Sequence, residues 1–174
     1  MGIYIALLRG INVGGTGVLP MKELVALCSG LGFEAVRTYI QSGNVILESR
    51  LSEQGVRARL EKALAARMEK KIDVMVRTPA EMRSILNANP FQREEPARVA
   101  VAFLCDPPPK DLAKNVVAPG GEKVQPGTRE VYVYYPDGMG QSKLKLPLKG
   151  AAATVRNINT VSKLVELAET LKSG

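Results

Sequence analysis

The sequence predicts an α+β fold in two similar halves, residues 1–95 and 96–174, and three observations carry that prediction. Each half opens on an apolar run of strand length, Tyr4 to Leu8 and Val99 to Leu104. Behind each run, segments with a 3.6-residue apolar period alternate with segments of period two. Read in order, each half gives β-α-β-β-α-β and then a helix, the ferredoxin-like split arrangement. The halves match in element order and hardly at all in residue identity, which points to an internal duplication.

The elements follow one by one. After the first strand comes the glycine-rich stretch Arg9 to Gly17, and Pro20 suits the first position of a helix. Met21, Leu24, Leu27, Cys28 and Leu31 mark the apolar face of that helix, with Gly30 and Gly32 as ending positions. Val36 to Ile40 and Val45 to Leu47 read as a hairpin around Ser42-Gly43. Ser52 caps a second helix with the face Val56, Leu60, Ala63, Leu64 and Met68, and Ile72 to Arg77 gives a fourth strand. Thr78-Pro79-Ala80-Glu81 is a capping box that opens a short helix, which ends before Asn89-Pro90-Phe91. The proline-marked stretch to Pro96 is the expected boundary between the halves.

In the second half a helix is expected around Lys110 to Val117. Strands are expected at Glu122 to Gln125 and Glu130 to Tyr135, joined by the Pro126-Gly127 turn. A short helical segment after Gly140 and a strand near Ala153 to Arg156 follow. Asn159 or Thr160 is expected to cap the last helix, with Val161, Leu164, Leu167, Ala168 and Leu171 on one face.

Composition excludes several chemistries. The chain has no histidine, so neither a His–Cys zinc site nor a Ser-His-Asp or Cys-His catalytic pair can be assembled. No metal or cofactor is implied. Cys28 and Cys105 lie in apolar segments and read as buried inert thiols, which suits a reducing cytoplasm. No apolar run approaches the roughly 20 residues that span a bilayer. The net charge of +7 favours an anionic partner, but the surplus is spread over both halves. One stretch is polarised: no acid stands between Asp137 and Glu166, while Lys143, Lys145, Lys149, Arg156 and Lys163 do.

Three polar loops are the candidates for chemistry. Arg9 to Gly17 sits where phosphate loops sit, between a strand and a helix. Thr16-Gly17 replaces the Lys and Ser or Thr that a P-loop needs, so a nucleotide triphosphatase is not expected. Gln41-Ser42-Gly43-Asn44 reads as a turn or as one wall of a polar cleft. Arg156-Asn157-Ile158-Asn159-Thr160 echoes Arg9-Gly10-Ile11-Asn12, because in both an isoleucine is flanked by Arg and Asn. Tyr132 and Tyr134 share a strand face beside Arg129, which strand composition accounts for without invoking base stacking.

With these residues together, the chain resembles the bacterial domain-of-unknown-function family sixteen-ninety-seven. The resemblance rests on Leu7-Leu8-Arg9-Gly10-Ile11-Asn12-Val13-Gly14-Gly15, Leu31-Gly32-Phe33, Thr38-Tyr39-Ile40-Gln41-Ser42-Gly43-Asn44-Val45, Asn89-Pro90-Phe91, Gly140-x-Ser142-Lys143-Leu144 and Ala153-Thr154-x-Arg156-Asn157-x-Asn159-Thr160. It implies a whole-chain α+β protein with two subdomains and brings no established activity. This chain departs from the family pattern at Thr16-Gly17 and at Ile158, and it is short between Leu144 and Ala153, where Pro147 opposes a helix.

The expectation for function is a polar cleft between the subdomains that binds an anionic small molecule. Arg9 and Arg156 would hold the anion, with orienting bonds from Asn12, Asn44 and Asn157. Gly14, Gly15, Gln41, Ser42, Ser142, Lys143 and Asn159 would complete the lining. A nucleic-acid binder using residues 143–163 is the first alternative, and an interaction protein without a ligand site is the second.

Overall fold

The computed structural model describes residues 1–11, 18–40 and 43–173. Asn12, Gly14 and Gly15 of the glycine-rich stretch and Gln41 and Ser42 of the hairpin lie outside the described residues. By contact the chain divides into two compact units, Met1–Arg83 with Lys163–Gly174, and Ser84–Ser162.

The first unit contains β1 (Gly2–Leu8), α1 (Met21–Gly30), β2 (Glu34–Tyr39), β3 (Asn44–Ser49), α2 (Glu53–Met68) and β4 (Val74–Arg77). Its sheet has the order β2-β3-β1-β4, and every neighbouring pair is antiparallel. That order is what two interleaved β-α-β units produce, as the element pattern predicts. Alternation along β1 sends Ala6 and Leu8 into a core with Leu24 and Cys28 of α1 and Leu60 and Leu64 of α2. Ile5 and Leu7, on the other face of β1, are equally buried. Each such aliphatic side chain removed from water contributes roughly 1.5–3 kcal/mol, so β1 is the chief anchor of this unit.

Local signals act as the sequence suggests, with small shifts. Pro20 stands just before α1 and not within it, and its carbonyl accepts the first helical bond, from Leu24 N at 3.1 Å. Gly32, at φ +89°, supplies the left-handed turn after α1. The Ser52 hydroxyl accepts from Gly55 N and caps α2, which ends on Glu69 in the left-handed region, φ 57°. The Thr78–Glu81 box forms in both directions, at 3.1 and 3.2 Å, and opens α3 (Pro79–Asn87).

Gly43 is fixed by two independent constraints. Its φ is +81°, and an added Cβ would lie 2.9 Å from Ile11 and 3.0 Å from Leu8. Its carbonyl also accepts from Leu8 N at 2.9 Å, so the hairpin turn is clamped onto the end of β1.

The second unit holds β5 (Val99–Leu104), α4 (Leu112–Asn115), β6 (Lys123–Pro126), β7 (Glu130–Tyr134) and β8 (Ala153–Asn157), with α5 (Ile158–Ser173) beginning in it. Its sheet order, β6-β7-β5-β8, repeats that of the first, again antiparallel throughout. The helices differ from expectation. The helix expected over 110–117 shrinks to the four residues of α4, flanked by Pro107, Pro108 and Pro109 on one side and Pro119 on the other. Between β7 and β8 the helical part is only a 3-10 turn, Met139–Gln141. Leu144, Leu146 and Leu148 pack on the core instead, and Lys145 pairs with Val117 in a single β-bridge. That period of two belongs to an extended strap, and Pro147 within it is incompatible with a helix.

The start of α5 is also corrected. The helix begins at Ile158, and Asn157, not Asn159 or Thr160, provides the cap: its Oδ1 accepts from Asn159 N at 2.8 Å. Cys28 is buried as expected, which pushes its thiol up to about 12, whereas Cys105 is only half-buried. Tyr132 is buried and donates to the Ile85 carbonyl at 2.6 Å, so it is not a stacking platform.

Two substitutions test the backbone assignments in urea denaturation. Gly43→Ala combines left-handed strain with overpacking against Ile11 and should cost about 2–4 kcal/mol. Glu69→Gly removes strain at the end of α2 and should stabilise by about 1 kcal/mol. Equal and small effects at both positions would refute the turn geometry.

Candidate functional site: an amide-lined groove at the start of the last helix

Within the second unit, three pieces of chain bring amides together: the end of α3, the turn from Asn89 to Pro96, and the first turn of α5. They line an open groove of about 590 Å³, whose polar side chains are Asn87, Asn89, Gln92, Asn159 and Ser162. Leu86, Pro96 and Ile158 supply the apolar part of the wall.

Each wall is set by bonds between side chains and the main chain. The Asn89 Oδ1 accepts from Phe91 N at 2.9 Å, a local turn that bends the chain away from α3. Gln92 Nε2 donates to the Asn87 carbonyl at 2.9 Å and occupies an acceptor that the helix end leaves open. Asn157 Nδ2 donates to the carbonyls of Pro96 and Ala97, at 3.2 and 3.0 Å, while its oxygen caps α5. One amide thus ties the chain at 96–97 to the start of a helix some 60 residues later. Tyr132 holds α3 from below through the Ile85 carbonyl, and the Phe91 ring lies against Tyr134 with centroids 6.1 Å apart.

The side chains left for a ligand are those without such duties. Among the described residues, Asn87, Asn159 and Ser162 make no side-chain hydrogen bond to protein, and Gln92 keeps its oxygen and Asn89 its nitrogen. None of the described Lys, Arg, Asp or Glu residues lines the groove. Its chemistry is therefore that of neutral donor–acceptor pairs.

The remaining expected site residues are placed as follows. Arg9 is half-exposed beside Asp73, 3.9 Å away, and its N–H donates to the Asp73 carbonyl. Asn44 is fully buried, and its Nδ2 donates to the Tyr39 carbonyl at 2.9 Å across the hairpin. Arg156 is buried on β8 and donates to Thr154 Oγ1 and to the Val155 carbonyl, at 2.6 and 3.1 Å. Burial pushes its guanidinium down to about 10, which leaves it charged at neutral pH. Ser142 and Lys143 line a separate hollow of about 210 Å³ with Glu122 and Asp137. There the Ser142 hydroxyl donates to Glu122 at 3.0 Å.

Of the expected residues that the structure describes, only Asn159 lines the groove. Asn87, Asn89, Gln92 and Ser162 were not among them, although the density of amides in Asn87-Ala88-Asn89-Pro90-Phe91-Gln92 is a visible signal. That stretch reads as a boundary because prolines dominate its periodicity.

A family model described as "Protein of unknown function (DUF1697)" matches residues 1–132. The chain belongs to the DUF1697 family. Its fold is similar to that of the conserved bacterial protein SP0830 from Streptococcus pneumoniae, with a TM-score of 0.77 at 23% identity, over 95% of this chain and 98% of that one. No curated protein matches the sequence. Among the described residues no helix is long and apolar enough to cross a membrane.

Asn157 offers the sharpest structural test of the groove. Asn157→Ala should cost about 1–2 kcal/mol, the usual worth of a cap, and should expose the 96–98 amides to hydrogen exchange. Asn157→Asp keeps the capping oxygen and loses the donors, so it should recover part of the stability without restoring protection. Identical behaviour of the two variants would contradict the double role.

Proposed function

We propose that this DUF1697 protein binds a small neutral molecule with a paired donor–acceptor edge, such as a carboxamide or a nucleobase, in the amide groove of its second unit. The observation that carries this reading is the convergence of Asn87, Asn89, Gln92 and Asn159 from three chain segments on one hollow. Its volume of about 590 Å³ falls within the range of small-molecule sites. Asn and Gln side chains match such edges with two bonds at once, as they do with adenine. Because the walls are held by Asn157, Gln92 and Asn89, little ordering remains to oppose binding.

The anionic ligand expected from Arg9 and Arg156 finds no support in this groove, since neither guanidinium lines it. The nucleic-acid alternative is weakened by the partners of its cations. Lys149 pairs with Asp111 and Lys163 with Glu166, both at 3.4 Å, and Arg156 is buried. Lys143 and Lys145 are the exposed cations of that stretch for which no ion pair is formed among the described residues.

The test is a titration of the full chain with adenosine and nicotinamide, followed through the side-chain NH₂ signals in ¹⁵N spectra. The signals of Asn159 and Gln92 should move saturably, and Asn159→Ala should weaken binding about fivefold, the worth of one hydrogen bond near 1 kcal/mol. Failure of both probes to shift these signals, or unchanged affinity in the variant, would sink the proposal.

A further inference from the structure

The first unit carries an independent hollow, built where the turn after α1, the end of β3 and the outer side of α2 meet. Its volume is about 260 Å³, and Arg50 and Arg59 line it together with Phe33, Leu51, Ser49 and Glu34. Arg59 also lines an adjoining hollow of about 490 Å³ with Lys62, Ala63 and Ala66. Three cations and one carboxylate therefore face this surface.

Elsewhere in the same unit, Arg57 pairs with Glu61, Arg67 with Glu23 and Arg83 with Glu169. Like Lys22, Arg37 and Lys70 of this unit, Arg50, Arg59 and Lys62 have no ion pair among the described residues; what distinguishes them is that they line one surface. Arg59 is oriented all the same: its Nη1 donates to the Leu31 carbonyl at 3.3 Å, which leaves its other N–H groups unused.

The backbone that presents Arg50 is fixed from three sides. Tyr4 donates to the Leu51 carbonyl at 2.8 Å, Leu51 N donates to the buried Ser49 Oγ at 3.0 Å, and Ser52 caps α2 directly afterwards. The Ser49 hydroxyl proton has no acceptor among the described residues, so one more donor lines the hollow.

We infer that this hollow is a binding site for a phosphate monoester carried on a small apolar or aromatic body. Two guanidinium groups and a serine hydroxyl match the oxygens of a phosphoryl group, and arginine forks bind them with paired bonds. Phe33 and Leu51 supply an apolar surface for the esterified group. At about 30 Å³ per water, the hollow has room for more than a bare anion.

The experiment is calorimetric titration of the full chain with phenyl phosphate, inorganic phosphate and benzoate at low salt. Phenyl phosphate should bind saturably and more tightly than either of the others. Arg50→Ala and Arg59→Ala should each weaken it about tenfold or more, about 1.4 kcal/mol. Arg50→Lys should also weaken it, because the charge remains and the fork is lost. Arg93→Ala, an exposed arginine of the second unit, should leave it within about twofold. Arg59→Ala removes a bond to the end of α1; if that variant does not fold, Arg50→Ala decides, since Arg50 makes no side-chain bond among the described residues. Absence of saturable phenyl phosphate binding, equal affinity for inorganic phosphate, tighter binding of benzoate, or indifference to Arg50→Ala would each overturn the inference.

Discussion

Burial of the two central strands on both faces is the constraint from which most of this structure follows. Ile5 to Leu8 in β1 and Val99 to Leu104 in β5 have no solvent side, so neither strand can alternate polar with apolar residues. Both sequences are continuous apolar runs for that reason. Each strand is bonded on two edges, in sheets of the same strand order, and charge is moved to outer strands, helix surfaces and loops. The exceptions show how strict the rule is. Arg77 on β4 and Arg156 on β8 are buried next to the central strands, opposite Ile5 and Val101. In both, a guanidinium Nη1 donates to the carbonyl of the preceding residue, Val76 or Val155. A buried charge needs such bonds to persist. This shared device is a closer residue-level echo between the halves than the Arg9/Arg156 likeness visible in the sequence.

The fold was legible wherever one period dominated. The 3.6-residue face of α2, the capping box at Thr78 and the serine cap at Ser52 are local signals, and each acts locally in the structure. Legibility failed where two weak signals competed. In Lys143-Leu144-Lys145-Leu146-Pro147-Leu148 the alternation is plain and Pro147 opposes a helix, yet a short helical segment is expected after Gly140. Packing settles it: three leucines at spacing two reach the core from one side of an extended chain, and a helix would turn them apart.

The candidate site was less legible, for a different physical reason. An asparagine that caps a helix and one that faces a ligand have the same side chain, and only its distant partners tell them apart. Asn157 is occupied by Pro96 and Ala97, about 60 residues away in sequence, and Asn159 is not. Similarly, Asn44 closes its hairpin through Tyr39, and Gly43 is dictated by Ile11 and Leu8. No spacing rule contains those contacts.

This division bears on how a family motif is to be read. Residues that make a sequence recognisable include those without which the backbone cannot take its path, and in this chain Gly43, Asn44 and Asn157 belong to that group. A motif position speaks for function only after its internal bonds have been subtracted. Among the described residues of the second unit, that leaves Asn159 with its neighbours Asn87, Asn89 and Gln92, whose free atoms are neutral donors and acceptors. Arg50 and Arg59, on which the inferred phosphate site rests, line a separate hollow of the first unit, within the residues that the family model matches. The two proposals thus divide the chemistry that the net charge and the polar loops suggest together: neutral donors and acceptors line the hollow in the second unit, and guanidinium groups line the one in the first.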